Sequence, residues 1–202
     1  MVCPRGKQGE TTIADSTETI GSYAFYDCDN VTEVTIPTSV TIIGSSAFCG
    51  CDDLITIHLG KKVATFPYSA LSGCDSLRNI QVSADNPYFS NDANGALLNK
   101  DQTLLIRVPG GIEGQYQIPK TVAKIGTSAF SDCIALSTVI IPDSVVSIDN
   151  ACIVSYLAGC IRNSICNTIE HHSVRRSAHH VISAVWTIPY VIVAVICHTS
   201  VH

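Results

Sequence analysis

The sequence predicts a repeat solenoid built from short parallel strands, and two observations carry the prediction. The same order of residue types recurs at an offset of 23 residues, and each copy contains a short segment in which apolar and polar residues alternate. A unit of that size cannot bury its own apolar side, so it becomes stable only when stacked on its neighbours. The alternation is the period-two pattern of a half-buried strand. Stacked rung on rung, such strands form a parallel sheet.

The copies can be followed along the chain. TTIADSTETI is the tail of a partial unit, because Ile13 lies 23 residues before Ile36. IGSYAFYDCDNVTEVTIP starts at Ile20, and IGSSAFCGCDDLITIHLG starts at Ile43 and repeats it position by position. Ala24 maps on Ala47, Phe25 on Phe48, Cys28 on Cys51 and Val31 on Leu54. FPYSALSGCDSLRNIQV, from Phe66, and IGTSAFSDCIALSTVIIP, from Ile125, complete the series. A period between twenty and thirty with apolar residues in an L-x-x-L-x-L order marks a leucine-rich-repeat solenoid. The expected fold is therefore a β-rich, right-handed solenoid about five rungs long, with parallel strands on the concave face and short turns or helical turns on the convex face. It occupies residues 11–150, behind a disordered N-terminus at 1–10.

Within each rung the residue types have separate tasks. Pro37 and Pro142 end two strands because proline brings no N–H to the ladder. Gly21, Gly44 and Gly126 fit a backbone corner that a side chain would crowd, with Pro67 in the equivalent place of the third copy. Phe25, Leu54, Leu77, Phe48, Phe130 and Leu136 form the repeated core. Cys28, Cys51, Cys74 and Cys133 occupy one repeat position, and free cysteine is among the most buried residue types. Packing is therefore the favoured reading of the four, although adjacent rungs are close enough to allow a disulfide. Cys49 departs from the repeat and is expected at the surface. A lone C-G-C without a second pair is a weak metal signal, so no metal site is expected.

The polar members of the strands are expected to make the functional surface. Glu33, Thr35, Thr56, His58, Asn79, Gln81 and Thr138 point away from the core on one face. A catalytic His58 would need an orienting partner and a nucleophile. The equivalent positions, Thr35, Gln81 and Ile140, supply neither. Aspartates follow three of the four repeat cysteines, in Asp29, Asp52-Asp53 and Asp75, where turn aspartates accept backbone hydrogen bonds. No EF-hand or G-G-x-G-x-D pattern accompanies them.

The 23-residue rhythm is interrupted by ADNPYFSNDANGALLNKDQTLLIRVPGG, residues 84–111, in which Asn91 to Gly95 is a turn cluster. The stretch is expected to be a small hairpin or loop inserted into one rung.

The I-G-x-x-A-F-x-x-C-x-x-L-x-x-I-x-I-P order, together with this insertion, resembles the BspA-type leucine-rich repeats, also called the Treponema pallidum class, of bacterial and some protozoan surface proteins. The resemblance covers about residues 11–150. It implies a binding or adhesion surface for a protein or glycan, no catalytic residues, no cofactor, and a cell-surface or secreted location. The alternative is an intracellular scaffold using the same face.

Composition agrees with a scaffold. Residues 1–150 hold nine Lys and Arg against sixteen Asp and Glu, a poor balance for nucleic acid, whose affinity rests on phosphate contacts. No P-loop, GxGxxG, HExxH or G-x-S-x-G occurs.

Residues 151–202 read differently, with four of the ten cysteines, six of the seven histidines and no lysine. Val181 to Cys197 is nearly all apolar, which suggests membrane association, but it is short for a spanning helix and Pro189 interrupts it. The histidine and cysteine spacings match no zinc pattern. The abrupt end of a good repeat fits a reading frame lost near residue 149 better than an anchor. The first sixteen residues show no apolar core of a signal peptide, and the partial first unit fits a fragment of a longer gene product.

Overall fold

The computed structural model describes residues 9–149 and two strands beyond them. The chain is a β-solenoid of about six turns with almost no helix. Each rung contributes one longer strand and, after a turn, one short strand. The longer strands β1 (Gly9–Thr12), β3 (Val31–Thr35), β5 (Thr56–Leu59) and β6 (Asn79–Val82) form one sheet in the order β1-β3-β5-β6. All its pairings are parallel. The short strands β2 (Thr19–Ile20) and β4 (Ile42–Ile43) pair in parallel on a second side, and a bridge from Ile42 to Thr65 extends them. The first strand begins at Gly9, two residues before the boundary set from the sequence at residue 11, because Glu10 and Thr12 pair with Glu33 and Thr35.

The repeated apolar positions fill the interior, and Phe25, Val34, Phe48, Leu54, Ile57, Leu77 and Ile80 are all buried. Phe25 and Phe48 stack with ring centroids 5.0 Å apart. The corner glycines behave according to what lies beneath them. A Cβ at Gly44 would come within 2.4 Å of Ser22 N on the preceding rung, whereas at Gly21 nothing among the described residues lies within 4 Å. The crowding comes from stacking and not from the corner itself.

The cysteine position carries a hydrogen-bond ladder. Cys51 Sγ donates to Phe25 O at 3.0 Å and Cys74 Sγ to Phe48 O at 3.1 Å. Cys133, only partly buried, lies 3.6 Å from Val108 O. Cys51, Cys74 and Cys133 are free thiols, so no disulfide joins them from rung to rung. Each supplies the carbonyl of the rung before it with a donor, and that is why this position suits a small side chain with a weak donor and little desolvation cost. Cys49, which departs from the repeat, is partly buried.

The stretch read as one inserted loop divides into two parts. In the first, β7 (Phe89–Asn91) and β8 (Leu97–Asn99) form an antiparallel hairpin, and β8 pairs antiparallel with β9 (Leu104–Arg107). Asn86, wholly buried, anchors its start: Nδ2 donates to Gly60 O and Val63 O, and Oδ1 accepts from Tyr88 N and Phe89 N. The second part, from Leu104, is a degenerate rung. Here β9 joins the second side in parallel with β11 (Lys124–Ile125), which pairs with β13 (Ser147–Ile148). Its longer strand β10 (Gly114–Gln117) pairs in parallel with β12 (Leu136–Ile140). With this rung the longer strands number six among the described residues, one more than expected.

In the degenerate rung Pro109 holds the cysteine place, because Ile112 N donates to Pro109 O as Leu54 N does to Cys51 O and Leu77 N to Cys74 O. Proline has no donor for the Leu71 carbonyl below. Arg107, buried at 2% exposure, supplies it instead. Its guanidinium donates to Leu71 O at 3.0 Å, to Ser128 O at 3.3 Å and to Asp132 Oδ2 at 2.7 Å. The same Asp132 oxygen accepts from Gly73 N at 3.1 Å. Arg107 thus ties the rungs on both sides of the irregularity.

Strand β8 also partitions the core. Leu97 packs with the apolar residues running from Ile13 to Phe89, and Ala96 and Leu98 pack with those running from Leu105 to Ile141. Alternating side chains of one extended segment therefore serve two interiors.

Beyond residue 149, β14 (Ala184–Ile188) and β15 (Val191–Val195) form an antiparallel hairpin. The apolar stretch 181–197 is thus extended where it is described. The remainder of 151–202, with its readings as anchor or lost frame, lies outside the described residues. Among the described residues no helix is long and apolar enough to cross a membrane.

Candidate binding surface

The period-two alternation of the longer strands decides which side chains reach solvent, and the parallel register decides which of them line up. Two columns result. Glu10, Glu33, Thr56 and Asn79 are successive register partners, and so are Thr12, Thr35, His58 and Gln81. Six of the seven residues expected from the sequence, Glu33, Thr35, Thr56, His58, Asn79 and Gln81, therefore come together on one sheet. Strand spacing of about 4.8 Å sets the repeat of each column.

The seventh is placed apart. Thr138 pairs with Gln115 in the separate β10-β12 sheet. Between the two sheets stands the turn of the β7-β8 hairpin: Ile80 N donates to Gly95 O on one side, and Tyr116 Oη donates to Asp92 Oδ2 at 2.7 Å on the other. The other Asp92 oxygen accepts from Asn94 N and Ala96 N, which closes the turn. Gly95 has φ +77°, and a Cβ there would lie 2.6 Å from Asn79 Oδ1, so this turn requires glycine. Burial, and the Asp92 carboxylate, push the Tyr116 hydroxyl up from its ordinary value.

One contact corrects the reading of His58. It does have a carboxylate partner, because Nε2 lies 2.6 Å from Glu33 Oε1 across the column diagonal, with both side chains about one-third exposed at 31% and 40%. The pair joins adjacent rungs 25 residues apart, so the 23-residue spacing does not reveal it. The flanking register positions are Thr35, Gln81, Thr56 and Asn79, which extend the pair into a continuous polar array. The arrangement offers hydrogen-bond donors and acceptors of fixed spacing together with a carboxylate-rich lower corner at Glu10 and Glu33.

Glu10 and Thr12 also belong to this surface, and Gln115 and Gln117 to the separate sheet that carries Thr138; none of the four is singled out from the sequence. The signal was present: Glu10 and Thr12 lie 23 residues before Glu33 and Thr35, and Ile118-Pro119 lies 23 before Ile141-Pro142. Among the described residues no group of three or more His, Cys, Asp or Glu side chains is placed to hold a metal ion.

The comparisons with known proteins agree with this architecture. The family model for the BspA-type leucine-rich repeat region matches residues 7–96 and 114–175 in six copies. That match runs past residue 150, where the repeats were expected to end. Curated proteins yield no match. Among solved structures, the chain is similar to the pneumococcal vaccine antigen PcpA, at 20% identity and TM-score 0.50, over 69% of this chain and 46% of that one. It is similar to a leucine-rich repeat protein of Eubacterium ventriosum, at 22% identity and TM-score 0.44, over 69% and 55%. A third is the leucine-rich repeat protein of T. pallidum, at 20% identity and TM-score 0.49, over 86% of both chains. The chain spans about half the length of the first two.

Proposed function

The chain belongs to the BspA-type leucine-rich repeat family, and from that premise we propose that it is a non-enzymatic recognition module that binds a protein partner through the β1-β3-β5-β6 face at a cell surface. The observation that carries the proposal is the pair of in-register polar columns. A flat array of Glu, Thr, His, Asn and Gln side chains on a rigid scaffold presents hydrogen-bonding groups at regular spacing, with little ordering cost on association. The columns hold no Phe, Tyr or Trp side chain on which a sugar ring would stack, which favours a protein over a glycan. The hairpin turn at Asp92 to Gly95 closes one end of this face and adds a loop contact, as loops on rigid scaffolds often do.

The test is affinity capture from the source organism's surroundings with wild-type protein and with Glu33→Ala/His58→Ala/Gln81→Ala. Capture of a defined partner by wild type and its loss in the triple variant, with an unchanged far-UV spectrum, is the expected result. Equal capture by both proteins would refute the strand-face assignment. Location is tested separately by protease shaving of intact source cells with an antibody to residues 20–80. Loss of signal places the repeats outside the cell. Full protection until lysis favours the intracellular scaffold.

A further inference from the structure

The turns that follow the cysteine position form a ridge beside the strand face. Its first column reads Asp29, Asp52, Asp75, Gly110 and Ile134, and its second reads Asn30, Asp53, Ser76, Gly111 and Ala135, each residue one or two places after Cys28, Cys51, Cys74, Pro109 or Cys133. In the degenerate rung both positions are glycine, so the ridge loses two successive side chains at one level. A groove of about 400 Å³ lies at that gap.

The glycines let the backbones close up while leaving the outside open. A Cβ at Gly111 would lie 2.7 Å from Ser76 C and 2.9 Å from Asp75 O, so the degenerate rung packs directly on the backbone of the rung before it. Acidic and apolar side chains share the lining. Asp53, Asp75 and Glu113 line the groove together with Ile55 and Ile134, which are 45% and 50% exposed. The only cation in the lining is Arg78, and it is already paired with Glu113. On the adjoining ridge, burial and the neighbouring carboxylates of Asp29, Asp75, Asp27 and Asp53 push the Asp52 carboxyl up.

We propose that this groove receives an arginine or lysine side chain from an extended segment of a protein partner, with the aliphatic stem against Ile134 and Ile55 and the charged head beside Asp53 and Asp75. A long basic side chain matches this mixed lining because its stem is apolar and its tip is cationic. The two carboxylates without a partner across the groove give the complementary charge. The inference rests on the reading of the chain as a protein-binding module and adds to the strand face a side-chain anchor on its flank, one that the columns do not include.

The experiment titrates the ¹⁵N-labelled full chain with a blocked Gly-Leu-Arg-Leu-Gly peptide and with the same peptide carrying Glu for Arg. Isolated side-chain anchors bind weakly, so the range extends to about 10 mM. The expected result is a saturable shift of the Gly110, Gly111 and Ile134 amides with the Arg peptide alone. Asp53→Asn/Asp75→Asn should weaken it roughly tenfold, the combined effect of two rim charge pairs. Ala135→Phe, at an exposed position, should abolish it by filling the gap. Glu33→Ala/His58→Ala/Gln81→Ala should leave it unchanged, so failure of the strand-face reading and failure of the groove are separate outcomes. Absence of shifts over the whole range, equal shifts with the Glu peptide, or insensitivity to both groove variants would overturn the proposal.

Discussion

Replacing Arg107 with methionine removes the guanidinium and keeps an unbranched stem of similar reach, so the change isolates the polar contacts. The side chain is 2% exposed and its partner Asp132 is 23% exposed. Breaking a buried ion pair costs about 3–5 kcal/mol. Asp132 retains Gly73 N and some access to water, which places this case near the lower end, about 3 kcal/mol. The Leu71 carbonyl loses the donor that Cys51 and Cys74 provide to its counterparts, adding about 1 kcal/mol. The expected loss is about 4 kcal/mol, a large part of the stability of a small domain. In a solenoid each rung contacts only its neighbours, so the damage should stay at the joint between the two interiors. Urea unfolding followed by circular dichroism reads the total, and native-state hydrogen exchange reads the two halves. Amides of the rungs after Leu104 should lose protection independently of those before Val82. Asp132→Asn alone should cost about 1–2 kcal/mol, and the double variant less than the sum, because the pair is coupled. A loss below about 0.5 kcal/mol, or full additivity, would refute the view that Arg107 stands in for the missing cysteine.

Three other outcomes follow from the same contacts. Cys51→Ser should cost no more than about 1 kcal/mol by urea unfolding, because the hydroxyl finds Phe25 O as acceptor, whereas Cys51→Ala should cost about 2 kcal/mol by leaving that carbonyl without a donor. Gly111→Ala should destabilise by about 2 kcal/mol through contact with the Ser76 and Asp75 backbone, while Gly21→Ala should stay within about 0.5 kcal/mol, and equal thermal midpoints for the two would contradict the stacking account. Burial raises the Cys133 thiol to about 12, above its unfolded value of 9.0. The unfolded chain therefore loses this proton first, and stability should fall as pH rises from about 9 toward 12. A pH series of unfolding midpoints should show a shallower alkaline decline in Cys133→Ala than in wild type.

Legibility of the fold depended on having copies to compare. Where Phe25, Phe48 and Phe130 occupy one place, the neighbours of each could be assigned by analogy, and the in-register columns followed from the alternation alone. Residues 84–111 had no second copy. Within that stretch LIRVP reads as an apolar run with one charge, and nothing in a linear comparison marks Arg107 as the residue filling a repeat position. The Glu33-His58 contact was hidden for a different reason: it joins positions from two columns, and a fixed offset reports only residues within one. The separation of Thr138 from the other strand-face residues depended on where the hairpin turn inserts, a three-dimensional outcome that its Asn-Asp-Ala-Asn-Gly sequence does not specify.

The joint held by Asn86 at one end and Arg107 at the other has a consequence for engineering. Between these two fixed points the hairpin tip at Ala93 and Asn94 is exposed, and the Asp92 carboxylate closes the turn beneath it. Foreign sequence grafted at that tip would meet neither interior, and each doubling of loop length costs only about 0.6 kcal/mol in closure entropy. The solenoid thus carries a built-in display position beside its polar columns, where a reporter or a second recognition loop can be exchanged without altering the register on either side.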